Sequence, residues 1–72
     1  MIRLRVKEVA EEKGLSMARL ARRADIDFKT VQRLFHDPYR DISMSTLEKI
    51  ARALSVPVVS LIEETDSKDD EE

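Results

Sequence analysis

Apolar residues recur at helical spacing through most of this chain, and residues that start or stop helices separate the apolar stretches. In the first stretch, Val6, Val9 and Ala10 fall on one face of a helix. Gly14 follows them and suits the left-handed conformation that ends many helices. The pattern therefore predicts a first helix over about residues 5–13.

Polar residues mark the borders of the next two helices. Ser16 and Asp27 can each accept a hydrogen bond from the first amides of a helix, so they predict the starts of the second and third helices. Asp25 is one of the few types of non-glycine residue that adopt a left-handed backbone at modest cost. The third helix should end at Asp37, because Pro38 forces its predecessor out of helical geometry.

The order of small, turn and apolar residues over residues 17–36 is the one that two helices crossing at a tight turn require. Ala21 is small where the second helix of this pair must pass close. The apolar residues on the inner side of the pair are Leu20, Ala24, Ile26, Val31 and Leu34. We interpret the segment as a helix-turn-helix.

A fourth helix follows a polar loop. It starts at Ser43 or at Ser45, the second of which has capping-box spacing with Glu48. The residues that this helix turns inward are Leu47, Ile50, Ala51 and Leu54. Pro57 at a first helical position predicts a short fifth helix over residues 58–62.

The amino terminus has a different pattern. Ile2, Arg3 and Leu4 alternate between apolar and polar and precede any helix signal. We expect them to be extended and to pair with residues 61–64.

Taken together, these motifs resemble the Cro and phage-repressor (XRE-type) family of DNA-binding domains. The resemblance runs from about residue 3 to about residue 62. Besides the helix-turn-helix, residues 13–16 (Lys-Gly-Leu-Ser) are similar to the family's approach to its second helix, and residues 42–57 to its fourth helix and exit. It implies an all-α fold, a compact five-helix bundle of the lambda-repressor type with a central helix-turn-helix.

Charge is divided sharply along the chain, although the net charge of the whole is only −2. Residues 1–62 carry twelve Lys and Arg against eight Asp and Glu, whereas residues 63–72 carry one Lys against seven Asp and Glu. A segment so acidic and without apolar residues cannot bury enough surface to offset the cost of ordering. We therefore expect a helix-turn-helix DNA-binding domain over residues 1–62 and an acidic, disordered tail over residues 63–72.

Length and composition exclude several classes of function. A chain of 72 residues buries only roughly 60% of its unfolded surface, which leaves little room for a deep catalytic pocket. The chain has no cysteine, and its acidic residues lack the spacing of a calcium loop. His36 is the only histidine and has no nucleophile beside it. We expect no enzymatic activity, no catalytic residue, no cofactor and no metal site.

The sequence also lacks the signs of a membrane protein. No apolar run approaches the roughly 20 residues that cross a bilayer, and charge interrupts the amino terminus too often for a signal peptide. We expect a cytoplasmic protein associated with the nucleoid and not with a membrane.

Base recognition is expected from the third helix. Since Val31 and Leu34 face the core, the opposite side faces solvent, and it carries Phe28, Lys29, Gln32 and Arg33. Arg and Lys can donate to the O6 and N7 edge of guanine, Gln can pair with adenine, and Phe can lie against a thymine methyl group. The family resemblance implies major-groove contacts by all of these except Gln32. The alternative is an ordinary solvated helix face, which carries as much weight for Phe28 and Gln32 as base contact does.

Phosphate contacts are expected around the rim of this helix, where hydroxyl groups, guanidinium groups and helix amino termini are available. The expected residues are Ser16, Met17, Arg19, Arg22, Thr30, Tyr39, Arg40, Ser43 and Ser45. Met17 stands where many family members have a glutamine, so its contact is apolar or lost. Arg23 is equally consistent with a phosphate contact and with solvation of the second helix.

The function that follows is sequence-specific binding of double-stranded DNA by a transcriptional regulator, with repressor favoured over activator by family analogy. We expect a homodimer, at least on DNA, with half-sites about one helical turn, roughly 34 Å, apart. The expected dimer surface comprises the exposed parts of residues 54–62, with contributions from Ile2 and Leu4.

The acidic tail supports a rival hypothesis, an antitoxin or other protein-interaction module whose tail covers a basic protein partner. A tail that only keeps the protein soluble, or that competes with DNA for the basic face, is the simpler alternative.

Overall fold

Four α-helices, one 3₁₀-helix and a two-stranded sheet form the described part of the chain, residues 1–65, in the computed structural model. In chain order these elements are β1 (Ile2–Leu4), α1 (Val6–Glu12), α2 (Met17–Ala24), α3 (Phe28–His36), α4 (Met44–Leu54), the 3₁₀-helix (Val58–Leu61) and β2 (Ile62–Glu64).

Side-chain caps begin the three longest helices. The Ser16 hydroxyl accepts from the backbone N–H of Arg19 at 3.2 Å, and the Asp27 carboxylate accepts from that of Lys29 at 3.2 Å. Both caps were predicted. At α4 the cap is Ser43, whose Oγ accepts from the N–H of the third helical residue, Thr46, at 3.2 Å. Of the two expected starts, Ser43 is therefore right and Ser45 is wrong.

Left-handed residues end three of the helices. Gly14 has a φ of 72° just after α1, and Asp25 has a φ of 59° after α2, as predicted for both. Ser55 also has a φ of 59°, which no sequence pattern indicated. Its N–H donates to the Arg52 carbonyl at 3.1 Å, and the next N–H donates to the Ala51 carbonyl, so the turn satisfies the end of α4.

The core lies where α2 packs against α3 and α4. Leu20, Val31 and Ile50 are fully buried, and Ala21 is buried at the crossing, as the small residue there predicted. The inward residues predicted for α4 are also all buried. Burial of each large aliphatic side chain contributes about 1.5–3 kcal/mol, so this crossing holds the helix pair in place.

The extended amino terminus is confirmed as a strand that pairs with the end of the domain. β1 and β2 are antiparallel, with Leu4 opposite Ile62 and Ile2 opposite Glu64. The outer side of β1 is also bonded, since the N–H of Leu4 donates to the Pro38 carbonyl at 2.6 Å. The strand therefore joins the carboxyl-terminal segment to the end of α3.

The expected fifth helix is wrong in kind, whereas the expected all-α helix-turn-helix class is confirmed. Residues Val58–Leu61 form a 3₁₀-helix of four residues, and Pro57 is extended before it (φ −69°, ψ 153°). The physical reason is the small number of residues available between Pro57 and β2. Within these four residues the chain must bury Leu61 completely and then enter β2, and the tighter turn allows this. The fold has four α-helices and a small sheet.

Arg3 ties the sheet to α1. Its guanidinium group lies 2.6 Å from the Glu8 carboxylate and 3.2 Å from that of Glu63. Partial burial of Glu8 opposes its ionisation, but its own backbone N–H and Arg3 outweigh that effect and lower the pKa of Glu8.

Two residues that we assigned to the acidic tail, Glu63 and Glu64, belong to β2. Thr65 extends the pairing, because its N–H donates to the Met1 carbonyl at 2.9 Å. The remainder of the expected tail, residues 66–72, lies outside the described residues.

Candidate nucleic-acid interface

One side of α3 is exposed along the whole helix. Val31 and Leu34 are buried, and the four residues expected to read bases all lie on the exposed side: Phe28, Lys29, Gln32 and Arg33. Helical spacing places Phe28 beside Gln32 and Lys29 beside Arg33. No ion pair among residues 1–65 involves Lys29 or Arg33. The structure thus brings the predicted base-reading residues together on one accessible surface.

Phe28 lies at the edge of an open groove between α2 and α3. The groove has a volume of about 640 Å³, and Arg22, Ile26 and Asp27 also line it. The Phe28 side chain is 42% exposed, so it is not used to fill the core. An aromatic side chain left in water at the start of a helix is available for an apolar contact outside the domain.

Three arginines form a ridge along the outer side of α2. Arg19, Arg22 and Arg23 are exposed and line one shallow groove. Spacing of three residues places Arg19 next to Arg22 on the helix surface. Because Arg22 also lines the groove beside Phe28, the ridge continues towards the exposed side of α3.

Two other residues expected to contact phosphate are less accessible. Met17 is half-buried and packs against the core, so an apolar role fits it better than a contact with a charged oxygen. Thr30 is also half-buried, and its N–H donates to the Asp27 carbonyl at 3.0 Å. Ser16 is exposed, with its oxygen used as the α2 cap.

The loop after α3 has a defined turn. The N–H of Tyr39 donates to the Asp37 carboxylate at 3.1 Å, and that of Arg40 donates to the Asp37 carbonyl at 3.2 Å. Asp37 therefore holds the turn through both its carboxylate and its carbonyl oxygen. The turn leaves the Tyr39 and Arg40 side chains exposed beside the start of α4.

Ser43 and Ser45 differ in what they can offer at the start of α4. The Ser43 hydroxyl accepts from the Thr46 N–H and donates to Thr46 Oγ1 at 2.9 Å. Its hydrogen-bonding capacity is largely used inside the helix. Ser45 is exposed, and its hydroxyl lies 3.3 Å from that of Ser43. The first amides of α4 lack partners within the helix and point outward.

An apolar groove of about 290 Å³ lies between the sheet and the start of α4. The exposed apolar residues that line it are Ile2, Tyr39 and Met44. Sequence reasoning included Ile2 among the dimer residues and missed Met44. The available signal was the spacing of Met44, three residues before the inward-facing Leu47 of the same helix.

A second group of cations includes Arg23 of the ridge on α2. Arg23, Lys49 and Arg52 line a cleft of about 420 Å³ between the carboxyl-terminal ends of α2 and α4. Helix carboxyl termini carry partial negative charge, so cations there stabilise the helices themselves.

Within residues 1–65, no cluster of three or more His, Cys, Asp and Glu side chains is arranged to hold a metal ion. None of the helices in this part of the chain is long and apolar enough to cross a membrane.

The model of the Cro/C1-type HTH DNA-binding domain family matches residues 5–65. Among solved structures, the N-terminal DNA-binding domain of SinR from Bacillus subtilis is similar at 28% sequence identity, with a TM-score of 0.75 over 88% of this chain and 91% of that one. A solution structure of this domain of SinR, described as the master biofilm regulator, has a TM-score of 0.72 at 28% identity, over 90% of this chain and 94% of that one. No curated protein sequence is significantly similar to this chain.

Proposed function

Because the chain belongs to the Cro/C1-type helix-turn-helix DNA-binding domain family, its partner is double-stranded DNA, and we propose that it is a sequence-specific transcriptional repressor. In this proposal α3 enters the major groove. The amino-terminal ends of α2 and α4 contact the sugar-phosphate backbone on either side.

The observation that carries the proposal is the division of α3 into two sides. Val31 and Leu34 are 0% and 2% exposed, whereas the side opposite them is open to solvent. Lys29 and Arg33 supply donors for guanine, and Gln32 can pair with adenine through both of its polar atoms. Phe28 supplies an apolar contact for a thymine methyl group.

The phosphate contacts come from the rim around α3. Arg19, Arg22 and Arg40 supply positive charge, and Ser45 supplies a hydroxyl group together with the free amides of α4. These contacts set the register of the protein on DNA and add affinity without sequence preference. Of the other expected residues, Met17 supplies an apolar contact. Ser16 and Ser43 cap the helices that carry the rim, and Thr30 and Tyr39 lie next to it.

In this proposal a second copy of the chain binds the same operator. A single domain covers one half-site, and a symmetric dimer covers two that are about one helical turn apart. The proposed dimer surface is the exposed part of residues 54–62, where Val59 is 73% exposed, together with Ile2, which is 48% exposed. Leu4, which was also expected to contribute, is buried in the core together with Leu54 and Leu61, so these three side chains take no part in the surface.

Selection of bound sequences from a random duplex pool tests the proposal. The expected result is a short motif that occurs twice, as an inverted repeat with centres about 10 base pairs apart. The affinity of the selected duplex should fall steeply with salt, because phosphate contacts release counterions. Failure to enrich any motif would contradict sequence-specific binding, and a single unpaired motif would contradict the dimer alone.

A further inference from the structure

Exposed apolar side chains are concentrated around the groove between the sheet and the start of α4. Six large apolar side chains are exposed in the described part of the chain, and three of them, Ile2, Tyr39 and Met44, line this groove. The buried side chains of Leu4 and Leu47 line it as well, so the groove opens onto the core. An apolar patch of this kind on a small domain indicates a surface that another molecule covers.

The outer edge of β1 has unused backbone groups beside this groove. The N–H of Thr65 donates to the Met1 carbonyl at 2.9 Å, and the Met1 amino group donates back to the Thr65 carbonyl at 3.2 Å. Since hydrogen-bonded pairs alternate along an antiparallel ladder, the N–H and C=O of Ile2, which lies opposite Glu64, point away from β2. Neither group is hydrogen-bonded to another part of residues 1–65. The edge therefore offers one donor and one acceptor to an added strand.

We propose that a second copy of this chain binds at this edge, with the two β1 strands antiparallel across a two-fold axis at Ile2. The N–H of each Ile2 then donates to the Ile2 carbonyl of the other copy, and the two sheets join into one of four strands. The inference rests on the proposed function, because it names the contact through which two copies bind one operator. Within the proposed dimer surface, it places the centre at Ile2 and not at Val59 of the 3₁₀-helix.

The chemistry of this edge is complementary to itself, which is why we assign it to a second copy. A two-fold axis sets the donor of each Ile2 opposite the acceptor of the other copy, as a symmetric contact requires. The charged residues that line the groove are Arg40 and Asp41, one of each sign, so two such rims do not repel by net charge. Residues 66–72 contain no apolar side chain and cannot fill an apolar groove.

The proposed pairing also brings apolar side chains together. Ile2 and Leu4 are two residues apart in a strand, so their side chains lie on the same face of β1, the one that borders the groove. A two-fold axis perpendicular to the sheet keeps this face common to both copies. The two Ile2 side chains, each 48% exposed in the single chain, then lie side by side with their Cα atoms about 5.5 Å apart.

The outer edge of β2 is less suited to such a pairing. The N–H of Ile62 already donates to the Val59 carbonyl. A two-fold axis at Glu63 would set its carboxylate opposite that of the other copy, and like charges directly opposite each other destabilise a strand pair. The two edges of the sheet therefore differ, and only that of β1 combines unused backbone groups with apolar surroundings in the described part of the chain.

The contact is short, which limits its strength. The N–H of Leu4 already donates to the Pro38 carbonyl at 2.6 Å, so the added strand has no access to that part of β1. We therefore expect weak association of the free chains. On an operator with two half-sites, DNA holds both copies close together, and the same contact should make their binding cooperative.

Charge exchange at Ile2 tests the axis directly. Since Ile2 lies opposite itself in the proposed dimer, Ile2→Asp or Ile2→Lys sets two like charges together and should abolish dimerisation. A mixture of the two variants pairs a carboxylate with an ammonium group, and it should restore a dimer in sedimentation of the free proteins. The matched controls are Val59→Asp and Val59→Lys, at a residue that is 73% exposed. Each of them should dimerise like the unchanged chain.

The Ile2→Pro substitution tests the backbone contact. Proline removes an N–H that points away from β2, and strand edges tolerate it there, so β1 should keep its pairing with β2. Ile2→Val keeps both the donor and an apolar side chain. We expect Ile2→Pro to raise the dissociation constant of the dimer at least about tenfold, because both intermolecular bonds are lost, and Ile2→Val to leave it nearly unchanged.

Three results would overturn the proposal. The first is a charge-exchange mixture that stays monomeric although the unchanged chain dimerises. The second is loss of the dimer in either Val59 variant, which would move the contact to the 3₁₀-helix. The third is an unchanged chain that is monomeric both free and on its operator. Binding of the unchanged chain to a duplex with one half-site reports on the proposed function separately. If it binds no duplex, that function fails, and charge exchange still decides whether two copies meet at Ile2.

Discussion

Arg33 lies on the exposed side of α3, next to the buried Leu34 and one turn before the helix ends. In the proposed complex its guanidinium group donates to a base edge in the major groove. We expect Arg33→Ala to weaken binding to the selected operator by about ten- to a hundredfold, equivalent to about 1–3 kcal/mol, and to relax the preference at one base pair.

The matched control for this variant is Arg52→Ala. Arg52 is also an exposed arginine in the last turn of a helix, but it lies in the other cation group. The Arg52→Ala substitution should leave the base preference unchanged when the affinities for the selected operator and its single-base variants are compared in a fluorescence titration. Equal effects of the two substitutions would refute the role of α3.

Glu8 makes stability depend on pH. Its pKa is lower in the folded chain than the ordinary value of 4.5, which applies to the unfolded chain. A lowered carboxylate pKa stabilises the fold fully above the unfolded value, and this contribution is lost as the pH falls through the folded value. We expect the free energy of unfolding, measured with urea between pH 6 and about 3, to fall less for Glu8→Gln than for the unchanged chain.

Glu12→Gln on the same helix is the control for this measurement, since Glu12 is exposed and takes no part in an ion pair within residues 1–65. Its stability should follow that of the unchanged chain over the acidic range. If the free energy of unfolding depended on pH in the same way for all three proteins, the ion pair between Arg3 and Glu8 would not stabilise the fold.

At the scale of single residues, the chemistry of the side chain was often enough for prediction. Ser16 and Asp27 cap helices, and Asp25 is left-handed, because each effect depends on neighbours within four residues. Ser55 escaped prediction, since serine has no preference for a positive φ. Its conformation follows from the need to turn the chain from α4 towards the sheet.

At the scale of elements, the start of α4 offers a direct test of a cap. Ser43 accepts from the Thr46 N–H, whereas Ser45 lies inside the helix. We expect Ser43→Ala to lower the free energy of unfolding by about 1 kcal/mol in urea denaturation. Ser45→Ala should lower it by less than half as much. The reverse order would place the start of the helix at Ser45.

The helices were predictable as elements because each one has an apolar stripe of helical period and its own end signals. The 3₁₀-helix was mistaken for a fifth α-helix, since Pro57 followed by apolar residues is consistent with both. The choice depends on Leu61, which must reach the core just before β2 begins. The local sequence does not show how close Leu61 lies to the core or where β2 begins, so it could not distinguish the two helix types.

At the scale of the whole molecule, the pairing of β2 with β1 joins the two ends of the described fold. Removal of residues 66–72 leaves this pairing intact, and we expect the chain of residues 1–65 to unfold at the same free energy within about 0.5 kcal/mol. Removal of residues 62–72 takes away β2 and uncovers Leu4, which is 4% exposed. We expect that chain to lose about 2 kcal/mol.

Urea denaturation followed by circular dichroism compares the three lengths. Equal stability of all three would mean that the sheet contributes nothing to the fold. A large loss already on removal of residues 66–72 would mean that these residues contribute to the stability of the fold.

The candidate DNA-binding surface also depends on how the helices pack together. The exposed side of α3 could be anticipated from the buried positions of Val31 and Leu34, and the structure places all four candidate residues on it. The half-buried positions of Met17 and Thr30 depend on the packing of α2 and α3 against the core, so side-chain chemistry alone did not indicate them.

The amino-acid sequence by itself determined the four α-helices, two of their caps and the side of α3 that stays in water, because these features depend on residues no more than a few positions apart. Only the tertiary structure decided the single turn after Pro57, the left-handed Ser55 and the approach of the carboxyl-terminal strand to Arg40. These features depend on contacts between segments that are distant in the sequence, such as the hydrogen bond from the Leu4 N–H to the Pro38 carbonyl.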